Sequence, residues 1–287
     1  MYHPHHHAVT TPDKAAYVMA RSGERVTYRQ LEAHSNQGAQ LFRSLLGRQG
    51  MITRALLLVA ILACVSVASA GTELIMTAKL PGGDPVPYML DSAGPAPKYL
   101  LVLFPGGSGD MNLRVEEGRI KFGLFGNFLI RSRRLFVDSE FATASTNATG
   151  SEERVQALLD DFKRRFPDAR VYFIGTSNGT GPTMRLAEFL QDKVAGEIHT
   201  SSRSQIYSFD GKAYRNRHLV VHHVNDWCRV TPYSAAKRSN DKFGTELLTM
   251  EGGVSTGNEC EAYAHHGFNG IEKETVDAIK AWIRKGG

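Results

Sequence analysis

A sharp turn between a strand and a helix at residues 175–179 constrains the fold more than any other stretch. Its sequence is Gly-Thr-Ser-Asn-Gly. The apolar residues 171–174 before it predict a buried strand, and residues 182–190 after it predict a helix. Glycine stands at both ends because a side chain two residues before or after Ser177 would clash in so tight a turn. We therefore expect Ser177 at a strand-to-helix turn, where the helix N-terminus favours developing negative charge.

Strands and helices alternate in the sequence predictions for residues 71–287. The predicted strands are 73–79, 88–91, 99–104, 135–137, 171–174, 196–200, 219–224 and 246–250, and the predicted helices are 151–166, 182–190, 232–243 and 271–284. The first two strands predict a hairpin. The alternation that follows predicts an α/β fold, with a mostly parallel twisted sheet and helices on both faces. The gap between residues 200 and 219 is too short for a large lid.

Residues downstream of Ser177 supply the partners that a serine nucleophile needs, namely a base and an acid that orients it. Asp226 follows the predicted strand 219–224, and His266 precedes the closing helix. This order of serine, acid and histidine predicts Ser177 as nucleophile, Asp226 as acid and His266 as base. Asp210 remains an alternative acid and His265 an alternative base. His222 and His223 are predicted to be packed or surface histidines.

A glycine-rich loop follows the early strand 99–104 and reads Pro-Gly-Gly-Ser-Gly at residues 105–109. Such a loop lets backbone N–H groups approach a substrate oxygen without obstruction by Cβ atoms. We expect one oxyanion donor from this loop, at Gly107. The second predicted donor is the N–H group of Asn178, beside the nucleophile.

Together these motifs resemble those of small secreted α/β-hydrolases of the serine esterase type. The matching stretches are 104–107, 175–179, 223–228 and 266–268, and the resemblance spans residues 71–287. It implies hydrolysis of an ester or related acyl bond of a small-molecule substrate through an acyl-enzyme, without cofactor or metal. Pro105 stands where many relatives carry histidine, which leaves the choice of oxyanion donor open. A serine peptidase and a non-catalytic binding protein on the same fold remain alternatives.

The sequence contains three cysteines, and their positions bear on the cellular compartment of the protein and on the loops of the predicted active site. Cys64 lies in the apolar segment 51–70. Cys228 lies two residues after the predicted acid, and Cys260 lies six residues before the predicted base. In a secreted protein such a pair predicts a disulfide that ties the Asp226 loop to the His266 loop. Two buried free thiols are the alternative.

Residues 51–70 have the form of a secretory signal peptide, with Arg54 before an apolar core and Ala-Ser-Ala at 68–70. They predict a periplasmic or secreted protein with no stable membrane span after cleavage. Lipidation of Cys64 and a buried core helix are the alternatives. Residues 1–70 hold seven Lys and Arg against three Asp and Glu, so residues 71–287 carry a net charge of only +1. This balance does not indicate a nucleic-acid surface, and the oligomeric state stays open.

Residues 8–47 carry a second resemblance. They contain TPDK at 11–14, TY at 27–28, QL at 30–31 and LLG at 45–47, and resemble the opening of AMP-forming acyl-CoA synthetases. The resemblance implies a peripheral strand pair and helix and brings no catalytic residue, although an acyl-CoA ligase fragment remains an alternative. We expect residues 1–50 to be a remnant, a fusion product or the result of a misassigned start, too poor in apolar mass to fold independently.

Overall fold

The structure is a computed structural model that describes residues 4–18, 25–33, 35–36 and 72–286. Contacts divide the chain into two compact units, Met1–Ala68 and Ser69–Gly287. The predicted signal peptide at 51–70, including Cys64, lies outside the described residues. Among the residues that are described, no helix has the length and apolar character that a membrane crossing requires.

The described residues of the first unit form short elements. Helix α1 spans Pro4–Thr10, and strands β1 (Ala15–Val18) and β2 (Arg25–Thr27) pair antiparallel. None of the predicted site residues lies here. The resemblance of residues 8–47 to acyl-CoA synthetases stays a prediction.

The second unit is built on one large sheet. Its chain forms β3 (Thr72–Lys79), β4 (Pro85–Ser92), β5 (Tyr99–Phe104), β6 (Arg114–Glu116), β7 (Arg119–Lys121), β8 (Phe141–Thr146), β9 (Arg170–Thr176), β10 (Gly196–Thr200), β11 (Arg217–His223) and β12 (Glu246–Met250). Eight of these strands make the sheet in the order β12-β11-β10-β9-β5-β8-β4-β3, and β6 pairs with β7 in a separate ribbon. Strands β3 and β4 form the predicted hairpin, β4 pairs antiparallel with β8, and the remaining pairs are parallel.

Among the described residues, five helices flank this sheet, namely α2 (Phe128–Phe136), α3 (Glu152–Arg165), α4 (Thr180–Leu190), α5 (Tyr233–Phe243) and α6 (Glu272–Lys285). Strand β5 shows how both faces are covered. Its residues Leu101 and Leu103 pack in the cluster that includes α2 and α6, whereas Leu100 and Val102 pack in the cluster that includes α3 and α4. The prediction of a mostly parallel sheet with helices on both faces is confirmed. Between β10 and β11 the described chain forms two short 3₁₀ turns and no large lid, as predicted.

The predicted strand at residues 135–137 is wrong, because Leu135 and Phe136 end helix α2. The Asn127 side chain caps this helix by accepting a hydrogen bond from Leu129 N at 3.1 Å. The actual strand, β8, follows it and was missed. It reads Phe-Ala-Thr-Ala-Ser-Thr and is buried along its whole length. Small and hydroxyl-bearing residues make up most of this strand, whereas large aliphatic residues are the usual sequence signal of a buried strand.

The turn at residues 175–179 has the predicted steric constraint. A Cβ atom on Gly175 would lie 2.6 Å from Gly179 O, and one on Gly179 would lie 2.3 Å from Phe104 O. Ser177 adopts a positive φ of 51° between them. The turn thus brings its backbone against the end of β5, which is possible only without side chains at both glycines.

Candidate active site

The sequence-predicted nucleophile, acid and base all lie at the carboxyl edge of the parallel strands. Ser177 begins the 3₁₀ turn after β9, Asp226 follows β11, and His266 lies in the 3₁₀ turn His265–Gly267 after β12. Ligands bind at this edge in open α/β sheets. The topology therefore brings together side chains that are up to 89 positions apart in the sequence.

The Asp226 carboxylate is buried and accepts four hydrogen bonds. They come from His266 Nδ1 at 3.0 Å, His222 Nε2 at 3.1 Å and Thr231 Oγ1 at 3.2 Å to Oδ2, and from Cys228 N at 3.0 Å to Oδ1. Burial disfavours the charge, but the hydrogen bonds from His222 and His266 outweigh it and lower the pKa of Asp226 to about 2. The group is therefore ionised at neutral pH.

The tautomer of His266 follows from this ionised partner. A carboxylate can only accept hydrogen bonds, so the Nδ1 atom of His266 carries a proton, and in the neutral form of the ring Nε2 has a free lone pair. Ser201 Oγ donates to the carbonyl oxygen of His266 at 2.6 Å and holds its backbone. His266 and Ser177 line the same cavity of about 170 Å³. They are not hydrogen-bonded to each other, and contacts of this kind commonly tighten when a substrate binds.

The predicted oxyanion loop lies directly against Ser177. A Cβ atom on Gly106 would be 2.8 Å from Ser177 Cβ. Gly107 has a φ of +63°, and its carbonyl oxygen accepts a hydrogen bond from Asn178 Nδ2 at 2.8 Å. The Asn178 N–H lies in the first turn after β9, where backbone donors have no partner within the helix. Both predicted donors thus adjoin Ser177, and their role stays a prediction.

The two alternative side chains are engaged elsewhere. Asp210 caps a 3₁₀ turn by accepting from Lys212 N at 2.9 Å. The ring of His265 stacks on that of His223, with centroids 4.3 Å apart. Neither Asp210 nor His265 takes part in the hydrogen bonds around Asp226.

His222 has a contact with the site that the sequence interpretation missed. Its packing within β11 was expected, but its Nε2 atom also donates to Asp226 and to Thr231 O, the latter at 2.9 Å. The Nδ1 atom of His222 is buried without a partner, which fits the tautomer that carries its proton on Nε2. The only sequence signal is the separation of four residues between His222 and Asp226 across the strand end.

The predicted disulfide between Cys228 and Cys260 is present and closes a separation of 32 residues. The bridge joins the loop that carries Asp226 to the loop that carries His266. A closed loop of this length stabilises the folded state by about 4 kcal/mol through the entropy of the unfolded chain. Disulfides persist in oxidising environments, so the bridge indicates a compartment outside the cytoplasm.

Two groups of side chains among the described residues are close enough to be considered as metal ligands. The first is Asp226, Cys228 and His266, but the Cys228 sulfur is in the disulfide and cannot act as a thiolate. The second is Glu197, His199 and His218, which are buried, with the ring of Phe209 packed against both histidine rings.

This second group is a hydrogen-bonded chain. It runs from Thr183 Oγ1 to His199 Nδ1 (2.9 Å), from His199 Nε2 to His218 Nδ1 (3.4 Å), from His218 Nε2 to Asn216 Oδ1 (3.0 Å) and from Asn216 Nδ2 to Glu197 Oε1 (3.2 Å). The His199 and His218 rings are within 5° of parallel with centroids 5.7 Å apart. The 3.4 Å separation between His199 Nε2 and His218 Nδ1 fits an N–H···N hydrogen bond between the two rings.

Burial keeps this chain uncharged. It lowers the pKa of His199 well below the usual range and that of His218 to about 4. It also raises the pKa of Glu197 to about 8, since the one hydrogen bond from Asn216 offsets only part of the desolvation. Oε2 of Glu197 has no partner. A protonated, neutral Glu197 is therefore the state expected at neutral pH.

Comparison with known proteins gives structural relatives only. No protein-family model matches the chain, and neither does any curated protein. Among solved structures, the chain is similar to the esterase domain of a Rhodothermus marinus protein (TM-score 0.53, 11% identity, covering 75% of this chain and 100% of that one). It is also similar to Est1E from Butyrivibrio proteoclasticus (TM-score 0.52, 15% identity, 74% and 98% covered).

A third similar structure is XC6422 from Xanthomonas campestris, described as an α/β serine hydrolase without a lid (TM-score 0.51, 13% identity, 72% and 94% covered). At these identities the similarity shows the fold. The second unit has the α/β-hydrolase fold without a large lid, as the sequence predicted.

The buried Glu197 generates a prediction about stability. Between pH 4.5 and pH 8 the folded state keeps a proton on Glu197 that the unfolded state has released, so the contribution of Glu197 to the free energy of unfolding falls as pH rises through this window. Glu197→Gln removes this titration. We expect the variant to gain stability relative to wild type with rising pH, by on the order of a few kcal/mol between pH 5 and pH 8.

Urea unfolding of both proteins at pH 5, 6, 7 and 8 measures the difference. Glu188→Gln is the matched control, because Glu188 is exposed on α4 and should leave the pH dependence unchanged. Parallel pH curves for wild type and Glu197→Gln would contradict a raised pKa at Glu197.

Proposed function

We propose that this protein is a serine hydrolase that cleaves a carboxylic ester or a closely related acyl bond. The observation that carries the proposal is the hydrogen bond from His266 to the ionised Asp226, beside a cavity shared with Ser177. Ser177 stands on a turn with the steric features of a nucleophile elbow. These three side chains would supply the nucleophile, the base and the acid that the proposed reaction needs.

In the proposed reaction, the Ser177 oxygen attacks the ester carbonyl while its proton passes to His266 Nε2. The carbonyl π electrons move to the oxygen, which the Gly107 and Asn178 N–H groups stabilise, each donor contributing on the order of 3 kcal/mol in the transition state. His266 then returns the proton to the departing alcohol, which leaves an acyl-enzyme. Water then attacks the acyl-enzyme carbonyl while its proton passes to His266. Return of this proton to the Ser177 oxygen releases the carboxylic acid and restores the enzyme. Asp226 holds the imidazole and stabilises its cationic form.

The names of the similar structures favour ester chemistry over the peptidase and binding-protein alternatives. The Rhodothermus protein is called an esterase domain, and XC6422 is called a serine hydrolase. Because fold alone does not define activity, the proposal depends on the geometry around Ser177.

We also propose that the protein is exported to the periplasm or secreted, with residues 51–70 removed as a signal peptide. The disulfide between Cys228 and Cys260 supports this, since it would not persist in a reducing cytoplasm. On this proposal the mature protein is the hydrolase domain 71–287, and residues 1–50 contribute nothing to it.

The nucleophile is tested with a fluorophosphonate probe and an aryl ester. We expect covalent labelling and turnover in the wild type, and a loss of kcat by more than about a thousandfold in Ser177→Ala. Ser234→Ala, an exposed serine on α5, is the control and should retain both. Equal labelling of Ser177→Ala and wild type would refute the proposed nucleophile.

His222 is predicted to position Asp226. His222→Phe removes a donor to the buried carboxylate, so we expect kcat on an aryl ester to fall about tenfold. KM should change little because His222 lines neither cavity at the site. Gln at this position can restore the donor, so His222→Gln should recover part of kcat. If His222→Phe only lowered stability and left kcat intact, the positioning role would be wrong.

The export proposal predicts the N-terminus of the protein recovered from the periplasm or the medium. N-terminal sequencing should find Gly71 as the first residue, because cleavage follows the small residues 68–70. An N-terminus within residues 1–50 would contradict cleavage. A lipidated Cys64 at the N-terminus would assign the alternative processing.

A further inference from the structure

A second and larger cavity adjoins the nucleophile turn. Its volume is about 740 Å³, compared with about 170 Å³ for the cavity that holds Ser177 and His266. Gly107 lines both cavities, and Asn178 lines the larger one. The two proposed oxyanion donors therefore lie where the larger cavity meets the site of reaction.

The charged side chains that line this larger cavity are all positive. Its lining includes Arg185 and Arg203 and contains no Asp or Glu. Within residues 72–286, no carboxylate forms an ion pair with either guanidinium. Other arginines of the same unit are paired, as Arg131 is with Glu272 at 2.9 Å. Two unpaired cations facing one cavity attract an anion.

Arg203 is held in place but keeps an unused donor. Its Nη1 atom donates to Asn178 Oδ1 at 2.7 Å, and its backbone N donates to Thr180 Oγ1 at 3.1 Å. The Nε atom of Arg203 is buried and has no acceptor among the described residues. A buried donor without a partner is costly, and a bound anion would satisfy it.

Arg185 lies over glycine backbone at the rim of the same cavity. A Cβ atom on Gly150 would be 3.1 Å from Arg185 Nη2, and one on Gly181 would be 3.4 Å from Nη1. The guanidinium thus packs closely on backbone without a carboxylate partner. Its position on α4, eight residues after the nucleophile, is set by the same helix that follows Ser177.

The reaction geometry assigns the two cavities to the two halves of an ester. His266 must reach the oxygen of the departing alcohol, and it lines only the smaller cavity. The alcohol therefore leaves from the smaller cavity, and the acyl group extends past Gly107 and Asn178 into the larger one. Met184 and Phe209 supply apolar surface there for the chain of the acyl group.

We propose that the larger cavity binds an acyl group with a terminal carboxylate, held by Arg185 and Arg203. The substrates would then be half-esters of aliphatic dicarboxylic acids. This inference rests on the proposed serine hydrolase function and names the acyl class on which it acts. The planar guanidinium groups suit a carboxylate because each can donate two parallel hydrogen bonds.

The test compares two probes that differ only in charge, the mono-4-nitrophenyl ester of adipic acid and the same ester with a terminal carboxamide. We expect wild type to prefer the anionic ester by about 10-fold to 100-fold in kcat/KM, mainly through KM. Higher ionic strength should reduce the preference. Arg185→Gln should abolish most of the preference by lowering kcat/KM for the anionic ester, whereas Arg185→Lys should retain part of it.

Arg119→Gln is the matched control, since it removes one positive charge from the ribbon β6–β7, away from the larger cavity. It should leave the preference intact. Arg203→Gln should weaken turnover of both esters as well as the preference, because Arg203 also holds the Asn178 side chain.

Equal kcat/KM for the two esters in wild type, or an unchanged ratio in a folded Arg185→Gln variant, would overturn the inference. The absence of Ser177-dependent turnover of either ester would instead refute the proposed function. Calorimetry of adipate binding to Ser177→Ala tests the cavity without turnover. Binding that Arg185→Gln removes supports the anion site, and no binding to Ser177→Ala counts against it.

Discussion

The buried carboxylate of Asp226 is the group on which the organisation of the site depends. A charge in that position is tolerated only because four donors reach it, from strand β11, from its own loop and from the loop that carries His266. These donors come from three parts of the chain, so satisfying the charge also fixes the relative positions of the loops. The disulfide from Cys228 to Cys260 reinforces the same junction.

The number of hydrogen-bond donors determines whether the pKa of a buried carboxyl group in this unit is lowered or raised. Asp226 has four donors, and its pKa falls to about 2. Glu197 has one, from Asn216, and burial raises its pKa to about 8. Both groups have histidine neighbours, so residue type alone does not distinguish them. The proposed catalytic group is the one whose surroundings stabilise the charge.

The electrostatics on the two sides of Ser177 are complementary. On one side lies the anionic Asp226 with His266, and on the other lie Arg185 and Arg203 around the larger cavity. A substrate with a negative acyl end would be oriented by this charge separation before reaction, since the reverse orientation would place its charge near the Asp226 side. Orientation of this kind lowers the barrier without any additional chemical group.

The sequence by itself determined the features that depend on neighbouring residues. These include the glycine-bounded turn at Ser177, the β3–β4 hairpin, the alternation of strands and helices, and the cysteine pair. Local sterics and periodicity are sufficient to encode them. The tertiary structure alone decided the helical state of residues 135–137, the strand β8, the donation from His222 to Asp226 and the convergence of Arg185 with Arg203. These depend on burial and on contacts between distant segments, and such contacts leave no periodic signal in the chain.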